Sequence, residues 1–155
     1  MQKRRWLMLA GAVVALVTLV GLAAACGDDD DDADDGPDAA DGAETAVDVS
    51  LIDFSVNPSD DTVSAGTVTF NATNDGEQVH NLRVIRTDLD PDALPVDDDS
   101  FMVDEDQVEV VATFSDLEVG DAEEMSAELE SGSYVLICNI ATHYGVGMTI
   151  GFTVE

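Results

Sequence analysis

Near its C-terminus the chain reads Tyr134-Val135-Leu136-Ile137-Cys138-Asn139-Ile140-Ala141-Thr142-His143-Tyr144-Gly145-Val146-Gly147-Met148. Cysteine, histidine and methionine are thus separated by four residues each. A second element, Val79-His80-Asn81-Leu82, lies well upstream. Taken singly, each residue has an ordinary explanation. His80 reads as a structural or surface histidine, Met148 as core, Cys138 as a small buried hydrophobe and His143 as a loop residue. Taken together they do not. The chain has two histidines in all, and Cys138 is its one cysteine beyond Cys26. A thiolate, two imidazoles and a distant thioether are the trigonal donor set with an axial sulfur that suits copper. The sulfurs are soft and hold Cu(I), while the imidazoles also suit Cu(II). A rigid site acceptable to both states changes little when one electron is exchanged. Met102 and Met125 are weaker candidates for the axial position. The first lies in an acidic stretch, and the second has the parity of a core residue.

These residues need elements that carry them to one place. Side chains of a strand alternate between its faces. Cys138 shares a face with Leu136 and Tyr134, Met148 with Ile150, Phe152 and Val154, and His80 with Leu82 and Val84. Three candidate ligands therefore point to the apolar side. His143 lies in the loop between the last two strands, where it can fold back over the others.

From about residue 46 onward the whole chain is strand-like. Val68, Phe70 and Ala72 share one parity, as do Val108, Val110, Ala112 and Phe114, and Met125, Ala127 and Leu129. Turns are marked by Asn74-Asp75-Gly76, Val119-Gly120-Asp121 and Glu130-Ser131-Gly132-Ser133. Parity changes between Leu51 and Ile52, which predicts a bulge or bend. About seven strands fit an all-β antiparallel sandwich. The stretch from Asp88 to Asp106 holds nine acidic residues with Pro91 and Pro95. It reads as a long surface loop, with calcium binding or partner docking as alternatives.

The ligand loop resembles that of the cupredoxins, whose typical sequence is Cys-Asn-Ile-Pro-Gly-His-x-x-x-Gly-Met. The gaps are those of auracyanin-like members, whereas plastocyanins have a shorter Cys-to-His gap. This chain departs from the pattern at Ala141-Thr142, where Pro-Gly is common, a change in loop stiffness that touches no ligand. The resemblance covers residues 46–155. It implies a Greek-key β-sandwich of about seven to eight strands with one type 1 copper held by His80, Cys138, His143 and Met148. It also implies that Asn81 fixes the sulfur and the ligand loop through hydrogen bonds. His143 would then show a ring edge, surrounded by Tyr144, Val146 and Gly147, as the electron port.

The N-terminus differs from the rest. Lys3, Arg4 and Arg5 precede an uncharged run from Trp6 to Ala25, the order of a secretory signal. Arg4-Arg5 hints at twin-arginine export, although its flanks match poorly. Leu22-Ala23-Ala24-Ala25-Cys26 resembles a bacterial lipoprotein box, with its large aliphatic residue displaced by one position. Residues 1–25 are thus expected to be a signal and Cys26 the lipidated residue. An intact membrane helix is the alternative, since the run is long enough to span. Either way the rest of the chain lies on the outer face of the cytoplasmic membrane. Residues 26–45 include Asp28–Asp32 and bury almost nothing, which predicts a disordered acidic tether. Its reach is roughly 25 Å. A solvated spacer explains the acidic run better than a calcium site.

Charge narrows the partners. Residues 26–155 hold all 34 acidic residues but, of the basic ones, only Arg83 and Arg86, a net of −32. Nucleic acid is excluded, because binding phosphate needs cations. A basic redox partner, such as a c-type cytochrome or a respiratory complex, or a salty setting accounts for the acidity. A lone cysteine in an exported domain would oxidise unless a metal occupies it.

The expected role is that of an extracytoplasmic electron carrier. Copper storage or delivery is the alternative, weakened by the absence of Met-x-Met runs and of extra His or Cys clusters. A copper enzyme would need more histidines than two, and a metal-free sandwich used for adhesion or sensing leaves the pattern without a reason.

Overall fold

The computed structural model describes residues 44–155. Nine strands follow in order: β1 (Thr45–Ile52), β2 (Ser55–Pro58), β3 (Thr62–Val63), β4 (Gly66–Asn74), β5 (Arg83–Arg86), β6 (Glu109–Thr113), β7 (Ala122–Leu129), β8 (Gly132–Ile137) and β9 (Thr149–Val154). The expected signal at 1–25, Cys26 and nearly all of the 26–45 tether lie outside the described residues. Of the tether only Glu44 and Thr45 are described, and Thr45 already opens β1.

The strands form two sheets, ordered β2-β1-β4-β7 and β3-β9-β8-β5-β6. This is an all-β sandwich, as the alternating pattern predicts. Two details differ from that expectation. Among the described residues the strand count is nine, because β2 and β3 are short pieces of four and two residues. The pairing is also not wholly antiparallel, since β1 runs parallel to β4 and β3 parallel to β9.

Between the sheets lies a core of Val47, Val49, Leu51, Val68, Phe70, Ala72, Leu82, Val84, Phe114, Leu136 and Phe152, among others. Ala72 apart, each fully buried side chain of this kind stabilises the fold by about 1.5–3 kcal/mol relative to exposure. Of the two forms expected at Ile52, the bend is the one found, as the turn of a hairpin. Leu51 is buried and Ile52 exposed, and the two-residue turn Asp53-Phe54 follows, with Ile52 paired to Ser55. Phe54 takes a left-handed φ of 65° there, a costly conformation for a bulky residue.

Val108, Val110, Ala112 and Phe114 do not share one face. A bulge opposite Val84 and Ile85 pairs Val84 with Ala112 but Ile85 with Val110. Ala112 and Phe114 therefore face the main core, whereas Val108 and Val110 face a second cluster on the other side of the sheet. That cluster contains Ile85, Val135, Ile137, Tyr144, Leu94 and Val103. The last two belong to the acidic stretch at 88–106. This stretch is the expected surface loop, exposed over most of its length, but it is pinned to the domain at two points. It lays two apolar side chains on the outer face of β5 and β8, which is why β8 is apolar at every position from Tyr134 to Ile137.

Candidate metal centre

The last hairpin brings the sulfur ligands together. β8 ends at Ile137 and β9 begins at Thr149, and these two residues are paired. Cys138 and Met148 flank that pair, and the backbone N–H of Cys138 donates to the Met148 carbonyl at 3.1 Å. The residues between them form a closed loop. Within it the N–H of His143 donates to the Ile140 carbonyl at 3.0 Å and that of Met148 to the His143 carbonyl at 3.0 Å. A single 3-10 turn at Tyr144–Val146 ends on Gly147, whose φ of 100° is left-handed.

His80 arrives from the segment that leads into the neighbouring strand β5. β5 pairs with β8, Arg83 opposite Ile137, so the residues just before β5 and just after β8 lie at the same sheet end. Two backbone hydrogen bonds with Leu117 fix His80, at 3.2 and 2.7 Å.

His80, Cys138 and His143 are all buried and present their ligand atoms within 4.8 Å of one another. His80 Nδ1 and His143 Nδ1 lie 3.2 Å apart, and Cys138 Sγ is 3.7 Å from the first and 3.4 Å from the second. Two donors about 2 Å from a common centre and about 120° apart stand about 3.5 Å from each other. The three separations bracket that value, so the residues fit one metal ion. Met148 is fully buried in the same cluster as Cys138. The four residues make up the donor set of a type 1 copper site. Met102 lies in the acidic stretch and Met125 packs on β7 against the core.

Hydrogen bonds hold this arrangement from behind. The backbone N–H of Asn81 donates to Cys138 Sγ at 3.5 Å. The Asn81 side chain accepts from the N–H of Asn139 at 2.8 Å and donates to Asp116 at 2.8 Å. Asn139 is buried as well, accepting from the Val103 N–H at 2.7 Å and donating to the Val103 carbonyl and to Glu105. Burial pushes the Cys138 thiol up, and the N–H groups of Asn81 and Ile140 pull it partly back. Burial, with His80 beside it, holds the His143 ring below the ordinary histidine value and so favours the neutral ring that can ligate.

The rim differs from expectation. Tyr144 is buried, not part of an exposed edge. Its hydroxyl accepts from the Leu94 N–H and donates to the Pro91 carbonyl, both at 2.9 Å. Val146 and Gly147 are exposed. His143 itself is 6% exposed, with Phe54 edge-on to its ring at 5.6 Å between centroids. Phe101, half exposed, sits against Gly145. Sequence reasoning missed Asp53, Phe54, Phe101 and Asn139 near the site. Asn139 stands in the ligand loop, so its place in the motif was the available signal. The others come from loop tips that no periodicity marks.

No family model and no curated relative matches this chain. Solved structures do. One is the dithionite-reduced auracyanin of Roseiflexus castenholzii, 22% identical, TM-score 0.55, covering 74% of this chain and 99% of that one. Another is auracyanin A, described as a "blue" copper protein of Chloroflexus aurantiacus, 18% identical, TM-score 0.52, covering 73% of this chain and 100% of that one. Reduced rusticyanin is 17% identical, TM-score 0.51, covering 72% and 79%. The described residues thus have the cupredoxin β-sandwich fold.

Proposed function

We propose that this chain is a blue copper electron carrier held at the outer face of the cytoplasmic membrane. The observation that carries the reading is the burial of one thiol and two imidazole Nδ1 atoms within bonding reach of a common centre. Likeness in fold to proteins described as auracyanin and rusticyanin supports it. Copper bound there supplies one-electron exchange between Cu(I) and Cu(II). The chain's own residues do the rest. The Asn81 N–H holds the sulfur, Asn81 and Asn139 tie the two ligand segments together, and the closed loop from Cys138 to Met148 resists rearrangement. The apolar surface of Phe54, Phe101 and Val146 beside His143 is the port at which a partner docks.

A partner with a basic face, such as a c-type cytochrome or a respiratory complex, suits the charge. Residues 46–155 carry 24 acidic residues against Arg83 and Arg86, a net of −22. Both arginines are already paired, with Glu105 at 2.9 Å and Glu130 at 2.7 Å. Anchoring rests on the N-terminal pattern ending at Cys26. Among the described residues no helix is long and apolar enough to cross a membrane.

Voltammetry separates a carrier from a copper-delivery protein. A carrier gives a fast, reversible one-electron couple on the copper-loaded protein. A sluggish or irreversible wave, with copper lost on reduction, would place the protein among copper carriers rather than electron carriers.

A further inference from the structure

His80 uses its two ring nitrogens differently. Nδ1 faces Cys138 and His143, whereas Nε2 lies 3.0 Å from Asp53 Oδ1. Asp53 comes from the turn between β1 and β2, in the opposite sheet from β5 and β8. Its carboxylate also accepts from the N–H groups of Glu77 and Gln78 at 2.9 and 3.3 Å. Water does not disperse its charge fully, since the side chain is only 25% exposed. The approach depends on Gly76, where a Cβ would stand 2.5 Å from Asp53 Oδ1 and 2.8 Å from His80 Nε2.

We propose that Asp53 is a positioning residue for the metal centre, one that fixes the His80 proton on Nε2 and lowers the reduction potential of bound copper. The copper half of this inference rests on the function proposed above. A carboxylate on the far nitrogen of a ligating imidazole sets its tautomer and orientation and raises its basicity. With Nε2–H donating to Asp53, the Nδ1 lone pair is free to face the metal. The added negative charge favours the more positive Cu(II) over Cu(I). It therefore makes the acceptance of one electron from a reduced partner less favourable.

The test uses the full chain with three substitutions. Asp53→Asn keeps the size of the side chain and an oxygen acceptor but removes the charge. Asp53→Glu restores the charge. Gly76→Ala keeps the carboxylate but wedges a methyl group between it and the His80 ring, crowding both. Asp53→Asn is expected to raise the midpoint potential by about tenfold in the ratio of Cu(II) to Cu(I) affinity, about 59 mV for a one-electron couple. The blue absorption should persist. Gly76→Ala should shift the potential the same way, and Asp53→Glu should return it toward the parent value. An unchanged potential in both Asp53→Asn and Gly76→Ala, with the absorption intact, would overturn the proposal.

A metal-free arm stands apart from the copper reading. Proton–nitrogen correlation spectra in mildly alkaline buffer should show the His80 proton on Nε2 in the parent and a changed tautomer balance in Asp53→Asn. A proton on Nδ1 in the parent would overturn the proposal even if copper binds. A parent that takes no copper but shows the Nε2 proton would sink the carrier function and leave the positioning role standing.

Discussion

Thr142 shows how a single residue can carry the cost of a site. It stands where the cupredoxin pattern has glycine, and it takes a left-handed φ of 73°. For a β-branched side chain that conformation is strained. The N–H of Thr142 donates to the Ser100 carbonyl at 2.9 Å, so the acidic stretch holds the strained residue in place. Thr142→Gly is accordingly expected to stabilise the metal-free protein by about 1 kcal/mol, even after the entropy of an added glycine. Chemical denaturation checks this, and a destabilised variant would show that the turn is not strained. At this scale the sequence was most informative where chemistry restricts residue type. His80, Cys138, His143 and Met148 could be read because few other residues offer those donors. Asp53 could not be read, because one aspartate among 34 acidic residues carries no mark of its own. Only the hairpin turn places it against His80.

Among the elements, the stretch at 88–106 departs most from its sequence. Its acids and prolines suggest a solvated loop, yet Leu94 and Val103 are buried against Ile85, Val135 and Ile137. The run also holds Leu89, Val96, Phe101 and Met102, and its apolar residues follow no period, so nothing in the pattern singles out Leu94 and Val103 as the buried ones. The continuous apolar run of β8 was the available hint, since a strand covered on both faces shows no alternation. Leu94→Ala should therefore cost about 2–5 kcal/mol, measured by urea unfolding. A change near zero would mean that the stretch is not packed. Tyr144→Phe should cost about 1–3 kcal/mol, because it leaves the buried Leu94 N–H without its acceptor. Thermal unfolding of the metal-free variant would test it, and an unchanged midpoint would contradict the observed bond. The bulge in β6 was similarly hidden, since four alternating apolar residues look alike whether or not one extra residue shifts their faces.

On the scale of the whole molecule, charge and metal decide behaviour. A net of −22 over residues 46–155, with both arginines already engaged, makes the folded chain repel itself. Added monovalent salt should raise the thermal midpoint by screening that repulsion. A midpoint that falls or stays level between low and high salt would show that the acids are not an electrostatic burden. The β-sandwich was legible because alternation, turn residues and ligand parity agreed with one another. The parallel pairing of β1 with β4 was not, since register between distant strands leaves no local trace. The central claim concerns the four donors, and absorption spectroscopy during titration with Cu(II) tests it most directly. An intense blue thiolate-to-copper band should grow to saturation at one equivalent. It should vanish in Cys138→Ser and persist in Met102→Leu. A protein that stays colourless, or a band that survives loss of Cys138, would contradict the account.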